Sequence, residues 1–178
     1  MKILCIAKRE PQKRDLVARP YGRFHWLPVE LASRGHVLRQ LLVSHQGTTP
    51  AALDERAGVR ITTFNPRKAG LRRTLLSLEA EARAFEPDWI IGCSDTWYGW
   101  LAARLARRTG ARLAIDAYDD YESYMPWNLP LHWAWRRALR QADLVTAAGP
   151  ELANLLDRQR TGKAPAVVLP MAADPEFV

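Results

Sequence analysis

Residues 88–117, DWIIGCSDTWYGWLAARLARRTGARLAIDA, decide the fold of this chain. The apolar run from Asp88 to Cys93 predicts a buried strand. Trp97 to Arg108 predicts a helix that ends before Gly110, because glycine is favoured just past the end of a helix. Ala111 to Ala117 predicts the next strand. A strand, a helix and a strand in this order predict two parallel strands joined by a right-handed crossover.

The same alternation extends outward in both directions. Residues 2–7 form an unbroken apolar run, typical of a parallel strand that is buried on both faces. Further strands are predicted at 37–44, 59–64, 143–148 and 166–169, and helices at 22–36, 71–85, 130–141 and 150–158. Pro28 predicts a later start or a kink in the first helix, because it removes a backbone hydrogen bond. The chain is therefore predicted to be α/β, with a single Rossmann-like, doubly wound parallel sheet of about six or seven strands.

The composition is that of one soluble globular domain. The 178 residues are 48% hydrophobic and 25% charged, enough for one core. Cys5 and Cys93 both fall in predicted buried strands, which favours reduced thiols over a disulfide framework. The apolar run near the N-terminus is too short for a signal peptide, and no run approaches the roughly 20 residues of a membrane span. We therefore expect a cytoplasmic location.

The formal net charge of +7 favours an anionic partner: a phosphate group, an acidic bilayer or a nucleic acid. The arginines are spread over several segments that match no nucleic-acid-binding motif, so no nucleic acid is expected as a partner. Aromatic residues concentrate between residues 97 and 135, where they fill the core, line a carbohydrate or lipid site, or meet a membrane interface. A possible anionic membrane surface is predicted on the helix with Trp133, Trp135, Arg136, Arg137 and Arg140.

Short motifs follow one another in a defined order. They are LASRGH at 31–36, FEPDWII at 85–91, IDAYDDYE at 115–122, ADLVTAAGPEL at 142–152 and AADPEF at 172–177. In this order they resemble the N-terminal, acceptor-side domain of GT-B glycosyltransferases, especially the large retaining family that builds bacterial surface glycans and glycolipids. The chain differs from that family's usual pattern at Tyr118, where a histidine is frequent, and in having one glycine, Gly22, in its first loop.

The resemblance implies a domain organisation and an activity. Residues 1–169 would be the Rossmann-like acceptor-side domain and 170–178 the start of an interdomain linker, with the donor-binding domain absent. The full enzyme would transfer a sugar from a nucleotide-diphosphate sugar to a glycan or lipid-linked acceptor, at the inner face of the membrane. The isolated chain would be inactive, and no cofactor is expected in this domain.

Candidate site residues lie where the predicted strands end, because ligands bind beyond the carboxyl ends of parallel strands. Gly22 would let backbone amides at a helix start approach the donor phosphates. Asp116, Tyr118 and Asp119 are predicted near the reacting sugar, with a carboxylate as base for an inverting transfer or as a solvated strand end. No metal site is expected. The predicted acceptor-binding residues are Lys8, Arg9, Arg23, His25, Asp95 and Trp97.

One alternative function remains open at the level of sequence. A stand-alone Rossmann-like module that binds an anionic glycan, a lipid phosphate or a protein partner would have the same alternation and charge. The sequence contains neither G-x-G-x-x-G nor a P-loop, which argues against a dinucleotide oxidoreductase and an NTPase.

Overall fold

One sheet of eight strands organises the computed structural model, which describes residues 1–46 and 53–171. The strands are β1 (Lys2–Lys8), β2 (Val37–Val43), β3 (Leu53–Arg56), β4 (Val59–Phe64), β5 (Trp89–Cys93), β6 (Arg112–Ala117), β7 (Leu144–Ala147) and β8 (Val167–Val168). Their order in the sheet is β3-β4-β2-β1-β5-β6-β7-β8. All neighbours are parallel except β3 and β4, so the predicted doubly wound parallel sheet is confirmed.

Strand β3 is the strand that the sequence did not predict. It forms an antiparallel hairpin with β4 through a turn at Ala57 and Gly58, both of which have positive φ. Three of its four residues are charged, so it lacks the apolar run of a buried strand. It lies at the edge of the sheet, where one hydrogen-bonded neighbour is sufficient to define a strand.

In the described part of the chain seven α-helices connect the strands, and a short 3-10 turn lies at Pro11–Lys13. The helices are α1 (Arg23–Ser33), α2 (Pro66–Ala69), α3 (Leu71–Phe85), α4 (Thr96–Thr109), α5 (Tyr121–Tyr124), α6 (Leu129–Gln141) and α7 (Pro150–Gln159). Helix α4 starts where the Asp95 carboxylate accepts a hydrogen bond from the Trp97 amide at 3.0 Å, and it ends at Gly110 with φ 78°. Within the described ranges, no helix is long and apolar enough to span a bilayer.

The core lies on both faces of β1, whose successive side chains alternate between them. Ile3, Cys5 and Ala7 pack in one cluster with Phe24 of α1. Leu4 and Ile6 belong to a larger cluster on the other face, under α3, α4, α6 and α7. Burial on both faces explains the unbroken apolar run of β1.

Helix α1 runs from Arg23 to Ser33 with Pro28 inside it, so Pro28 does not delay the helix as one sequence-based alternative held. Proline has no N–H to donate to the carbonyl of Phe24 four residues earlier. Gln40, buried in β2, supplies the missing bond: its Nε2 donates to the Phe24 carbonyl at 2.6 Å. The proline is tolerated because a side chain from the sheet satisfies the exposed acceptor.

The order in which the chain adds strands to the sheet changes direction at β1. From β1 the chain builds outward through β2 and β4, and it then returns to place β5 on the other side of β1. The loops that follow β1 and β5 therefore leave the sheet in opposite directions and open a crevice at its carboxyl edge. Helix α1 begins on one side of this crevice and α4 on the other.

Candidate functional site

Gly22 starts helix α1 at the edge of the crevice. Its φ of 64° and ψ of −172° belong to a region that glycine adopts readily and other residues rarely do. Within the described chain no side chain caps this helix start, and its first turn contains no acidic residue. The first amides of α1 and the helix dipole are therefore directed outward, an arrangement that favours an anion.

A cavity of about 240 Å³ lies beside this helix start. Arg14 and Tyr21 line it from the loop after β1, and Tyr118 lines it from the end of β6. The Arg14 guanidinium lies 5.6 Å from the centre of the Tyr21 ring, which holds a positive charge near the opening. The cavity thus combines backbone amides, a cation and aromatic walls.

Arg23 and Asp116 were predicted for different roles, and the structure joins them to each other. The Arg23 Nε and Nη2 donate to the two Asp116 oxygens at 2.6 and 2.5 Å. The remaining guanidinium nitrogen donates to the carbonyls of Leu169 and Pro170, at 2.8 and 3.3 Å. Arg23 therefore links the start of α1, the end of β6 and the segment that follows β8.

The Asp116 carboxylate is only 2% exposed and also accepts a hydrogen bond from Thr146 on β7. Burial and the nearby charge of Asp116 raise the pKa of the Cys5 thiol to about 12. The same two causes, in the same order, raise the pKa of Cys93 well above its ordinary value. Both thiols are therefore protonated at neutral pH, and the structure offers no support for a thiolate nucleophile.

Tyr118 and Asp119 lie at the mouth of the crevice. The half-buried Tyr118 lines the cavity beside Gly22 and also a second one of about 430 Å³, which Asp119 shares. Its ring is fixed by edge-to-face contacts with Phe24 at 5.3 Å and Tyr121 at 5.5 Å. Asp119 accepts hydrogen bonds from the Tyr124 hydroxyl and the Asp120 amide.

Three carboxylates at the end of β6 and just after it have different partners in space. Asp116 binds Arg23, Asp119 binds Tyr124, and Glu122 binds Arg136 with two hydrogen bonds of 2.9 and 2.6 Å. Among the residues that the structure describes, no three His, Cys, Asp or Glu side chains gather as metal ligands.

Three polar residues meet on the opposite side of the crevice: Lys8 at the end of β1, His45 after β2 and Asp95 after β5. Burial lowers the pKa of His45, and the charge of Lys8 lowers it further. Burial raises the pKa of Asp95, although its bond from the Trp97 amide and the charges of Lys8 and His45 oppose this. His45 Nε2 lies 2.9 Å from the hydroxyl of Tyr98. Lys8 and Asp95, both predicted at strand ends, lie close enough for their charges to interact.

The other predicted acceptor residues lie deeper or to the side. Arg9 is 4% exposed, and its guanidinium donates to both oxygens of Asp15, at 3.0 and 2.9 Å. His25 lies in the first turn of α1 with its ring 4.8 Å from that of Trp26. Trp97 is partly buried and packs against Trp100, with ring centres 4.8 Å apart. Acceptor roles for these three residues stay predictions, and the pairing of Arg9 with Asp15 favours a structural role for it.

Sequence reasoning missed three residues of the site: Arg14, Tyr21 and His45. Arg14 and Tyr21 carry no motif of their own, and only their position between β1 and Gly22 marks them. His45 was not predicted as a binding residue. Its position immediately after β2 was the available signal, because β2 neighbours β1 in the sheet.

Solved structures share this fold. HepE of Anabaena, in complex with UDP-glucose, aligns with a TM-score of 0.63 and 16% identity over 98% of this chain and 44% of its own. Sucrose-phosphate synthase of Thermosynechococcus elongatus aligns with a TM-score of 0.69 and 13% identity over 99% of this chain and 49% of its own. The chain thus spans about half the length of these two proteins. No protein of curated function matches its sequence significantly.

A family of known domains does match the sequence. The Glycosyl transferase 4-like domain family covers residues 22–172, from the glycine that starts α1 to the segment beyond β8. This match covers most of the chain, and the sheet topology agrees with it. The chain therefore belongs to the Glycosyl transferase 4-like domain family and has the Rossmann-like fold of the N-terminal domain of GT-B glycosyltransferases.

Proposed function

We propose that this chain is the acceptor-binding half of a sugar-nucleotide-dependent glycosyltransferase. The observation that carries the proposal is the start of α1 at Gly22, uncapped within the described chain and open to a cavity at the point where the sheet reverses direction. Residues 1–169 would form this half and residues 170–178 the start of a linker. Residues 172–178 of that linker lie outside the described residues.

The donor would approach the Gly22 side of the crevice. Its diphosphate would accept hydrogen bonds from the first amides of α1, and Arg14 would balance part of its charge. HepE has been solved with UDP and with UDP-glucose, which supports a uridine nucleotide as the first donor to test. Most contacts to the nucleoside itself would come from a second domain.

The acceptor would lie on the opposite side, against Lys8, His45 and Asp95. Lys8 offers a positive charge to an anionic acceptor, and Asp95 offers an oxygen that accepts hydrogen bonds from sugar hydroxyls. Burial keeps His45 neutral at physiological pH, so its imidazole would exchange hydrogen bonds without adding charge. Trp97 stays a candidate for stacking on the acceptor from the start of α4.

The reaction itself would depend mainly on electrostatic stabilisation of the departing nucleotide diphosphate. Tyr118 and Asp119, which line the cavities at the end of β6, would lie nearest the reacting sugar. The buried Asp116 would act as a positioning residue, because its carboxylate holds the Arg23 guanidinium beside Gly22. Its predicted catalytic role would then be indirect.

For the biological setting, the proposal rests on the resemblance of the sequence motifs to the family that builds bacterial surface glycans and glycolipids. We propose a cytoplasmic enzyme that works on a glycan or lipid-linked acceptor at the inner face of the membrane. The charge of +7 supports an acceptor, or a surface, that carries negative charge.

A transfer assay on two forms of the protein tests the proposal. UDP- and GDP-sugars are offered with glycan and lipid-linked acceptors to the 178-residue chain and to a longer chain that adds a second Rossmann-like domain. The longer chain should release nucleotide diphosphate in the presence of an acceptor, and the 178-residue chain should not. Transfer by the 178-residue chain alone would contradict the division into two halves, and glycan binding without transfer by both forms would favour a stand-alone binding module.

A further inference from the structure

An apolar surface is exposed around the start of α6. Tyr124, Trp127, Leu129 and Trp133 are each between 64% and 76% exposed, which is unusual for large apolar side chains so close in sequence. The other tryptophan of this helix, Trp135, is 3% exposed and packs edge-to-face on Tyr121. These four exposed residues are called the aromatic patch.

Arginines continue the same face of α6 toward its C-terminal end. The Arg137 guanidinium lies 5.6 Å from the centre of the Trp133 ring. Arg140 and Arg158 line a groove of about 580 Å³ between α6 and α7. Arg107 of α4 lines another groove with Trp133 and Arg137, of about 360 Å³. Positive charge therefore flanks the aromatic patch on both sides of the helix.

The acidic groups nearby offset part of this charge, at Arg136 and at Arg158. Glu122 is neutralised by its two hydrogen bonds with Arg136, so the predicted membrane contact of Arg136 is not supported by its geometry. Asp157 of α7 accepts a hydrogen bond from the Ala166 amide. Arg158 also lines the cavity of about 430 Å³ together with Asp119, Asp120 and Glu151, so these carboxylates offset part of its charge. Arg137 and Arg140 remain as the positive charges of the α6 face.

We propose that the aromatic patch and Arg137, Arg140 and Arg158 together dock the domain on an anionic lipid bilayer. Indole and phenol rings fit the boundary between headgroups and acyl chains, where their apolar bodies are buried and their polar atoms stay hydrated. Each arginine adds attraction to the negative surface, and arginines line both grooves beside α6, where phosphate headgroups would approach. Membrane docking rests on the proposed function, because a lipid-linked acceptor is reached at a membrane surface.

Co-sedimentation with vesicles tests the docking surface. The chain should bind vesicles in which about a third of the phosphatidylcholine is replaced by phosphatidylglycerol, and bind pure phosphatidylcholine far more weakly. Binding should be largely lost in about 1 M salt, where the Debye length is near 3 Å. Replacing Arg137, Arg140 and Arg158 together by glutamine should weaken binding roughly a hundredfold, from about 1 kcal/mol for each arginine.

A matched control removes the same charge elsewhere. Arg60 on β4 and Arg72 and Arg73 on α3 are exposed, and the triple glutamine variant at these positions should lose less than about threefold in vesicle binding. A second variant, Trp127→Ser with Trp133→Ser, keeps the charge and should weaken binding at least tenfold or so through lost apolar contact. Circular dichroism confirms that each variant is folded.

Three outcomes would overturn the proposal: equal losses in the two arginine triples, equal binding to neutral and anionic vesicles, or no binding to anionic vesicles. Neither nucleotide nor acceptor is present in this assay. Failure of membrane docking would therefore leave the transferase proposal intact, and an inactive transferase would leave vesicle binding unchanged.

Discussion

Arg23 binds both carboxylate oxygens of Asp116, at 2.6 and 2.5 Å, with side-chain exposures of only 8% and 2%. Because the same guanidinium also holds the carbonyls of Leu169 and Pro170, this pair connects the start of α1 to the chain that leaves the sheet. Gly22, beside which we propose the donor phosphate site, immediately precedes Arg23. The pair therefore determines where the proposed phosphate site lies relative to the exit of the domain.

Breaking this buried pair on one side should destabilise the chain strongly. Asp116→Asn removes the charge that balances Arg23, and the free energy of unfolding should fall by about 3–5 kcal/mol. Replacing both residues, Arg23→Met with Asp116→Leu, should cost clearly less than the sum of the two single changes, because no buried charge is left unpaired. Urea unfolding measures Asp116→Asn and the four proteins of the cycle: the wild type, Arg23→Met, Asp116→Leu and the double variant. Strictly additive losses in the cycle would show that the pair does not act as a unit.

The bond from Gln40 to the Phe24 carbonyl predicts a coupling with Pro28. Gln40→Met should lower the free energy of unfolding by about 1–3 kcal/mol, since it leaves the Phe24 carbonyl without a donor. In a Pro28→Ala background the new amide at position 28 bonds that carbonyl, so Gln40→Met should cost less than half as much. A double-mutant cycle in urea measures the difference. The same loss in both backgrounds would mean that Gln40 does not compensate for the proline.

The buried carboxylate of Asp95, which we propose to bind the acceptor, should lower the stability of the chain at neutral pH. Burial raises its pKa above the ordinary 3.8, so the protonated side chain is favoured in the folded chain. The stability that it contributes is thus present below pH 3.8 and is lost as the pH rises through the folded-state value. At pH 7 Asp95→Asn should raise the melting temperature while keeping the helix cap, and this gain should shrink below pH 3.8. Asp95→Ala loses the cap and should cost about 1 kcal/mol. A melting temperature of Asp95→Asn below the wild type at pH 7 would contradict the sign.

Close packing between α4 and α6 predicts intolerance at Gly99. A Cβ there would lie 2.7 Å from Cε3 of Trp135, so Gly99→Ala should cost about 1–3 kcal/mol by forcing the ring to move. Adding Trp135→Leu to the Gly99→Ala variant should restore part of the lost stability, because the smaller side chain leaves room for the new Cβ. Gly149→Ala is the matched control: the nearest atom to its added Cβ is 3.9 Å away, and its effect should stay within about 0.5 kcal/mol. Thermal unfolding compares them, and equal losses at Gly99 and Gly149 would exclude the steric explanation.

The central sheet was predictable because its strands are apolar runs separated by helices with clear stop signals. Strand β3 was not, since its charged sequence becomes a strand only by pairing with β4. The path of α1 was ambiguous at Pro28, because the residue that compensates for the proline lies in β2.

The predicted ends of the strands were enough to place Lys8, Asp95, Gly22 and Tyr118 at the carboxyl edge of the sheet. The local sequence does not show which carboxylates are free, because tertiary packing decides which cation each carboxylate pairs with. Arg23, which binds Asp116, is 93 residues away from it in the chain. The same limit applies to α6, where Trp133 is exposed and Trp135 is buried although both were grouped as one surface.

Titration of the isotope-labelled chain with UDP, followed by amide nuclear magnetic resonance, tests the central claim most directly. A donor phosphate at the start of α1 should shift the amides of Gly22, Arg23 and Phe24, with an affinity only in the millimolar range, because the proposed nucleoside contacts belong to a second domain. Gly22→Ala should abolish these shifts, whereas Gly110→Ala, which replaces another glycine of positive φ in open space, should not. Micromolar binding, or shifts that avoid these three amides, would contradict the account.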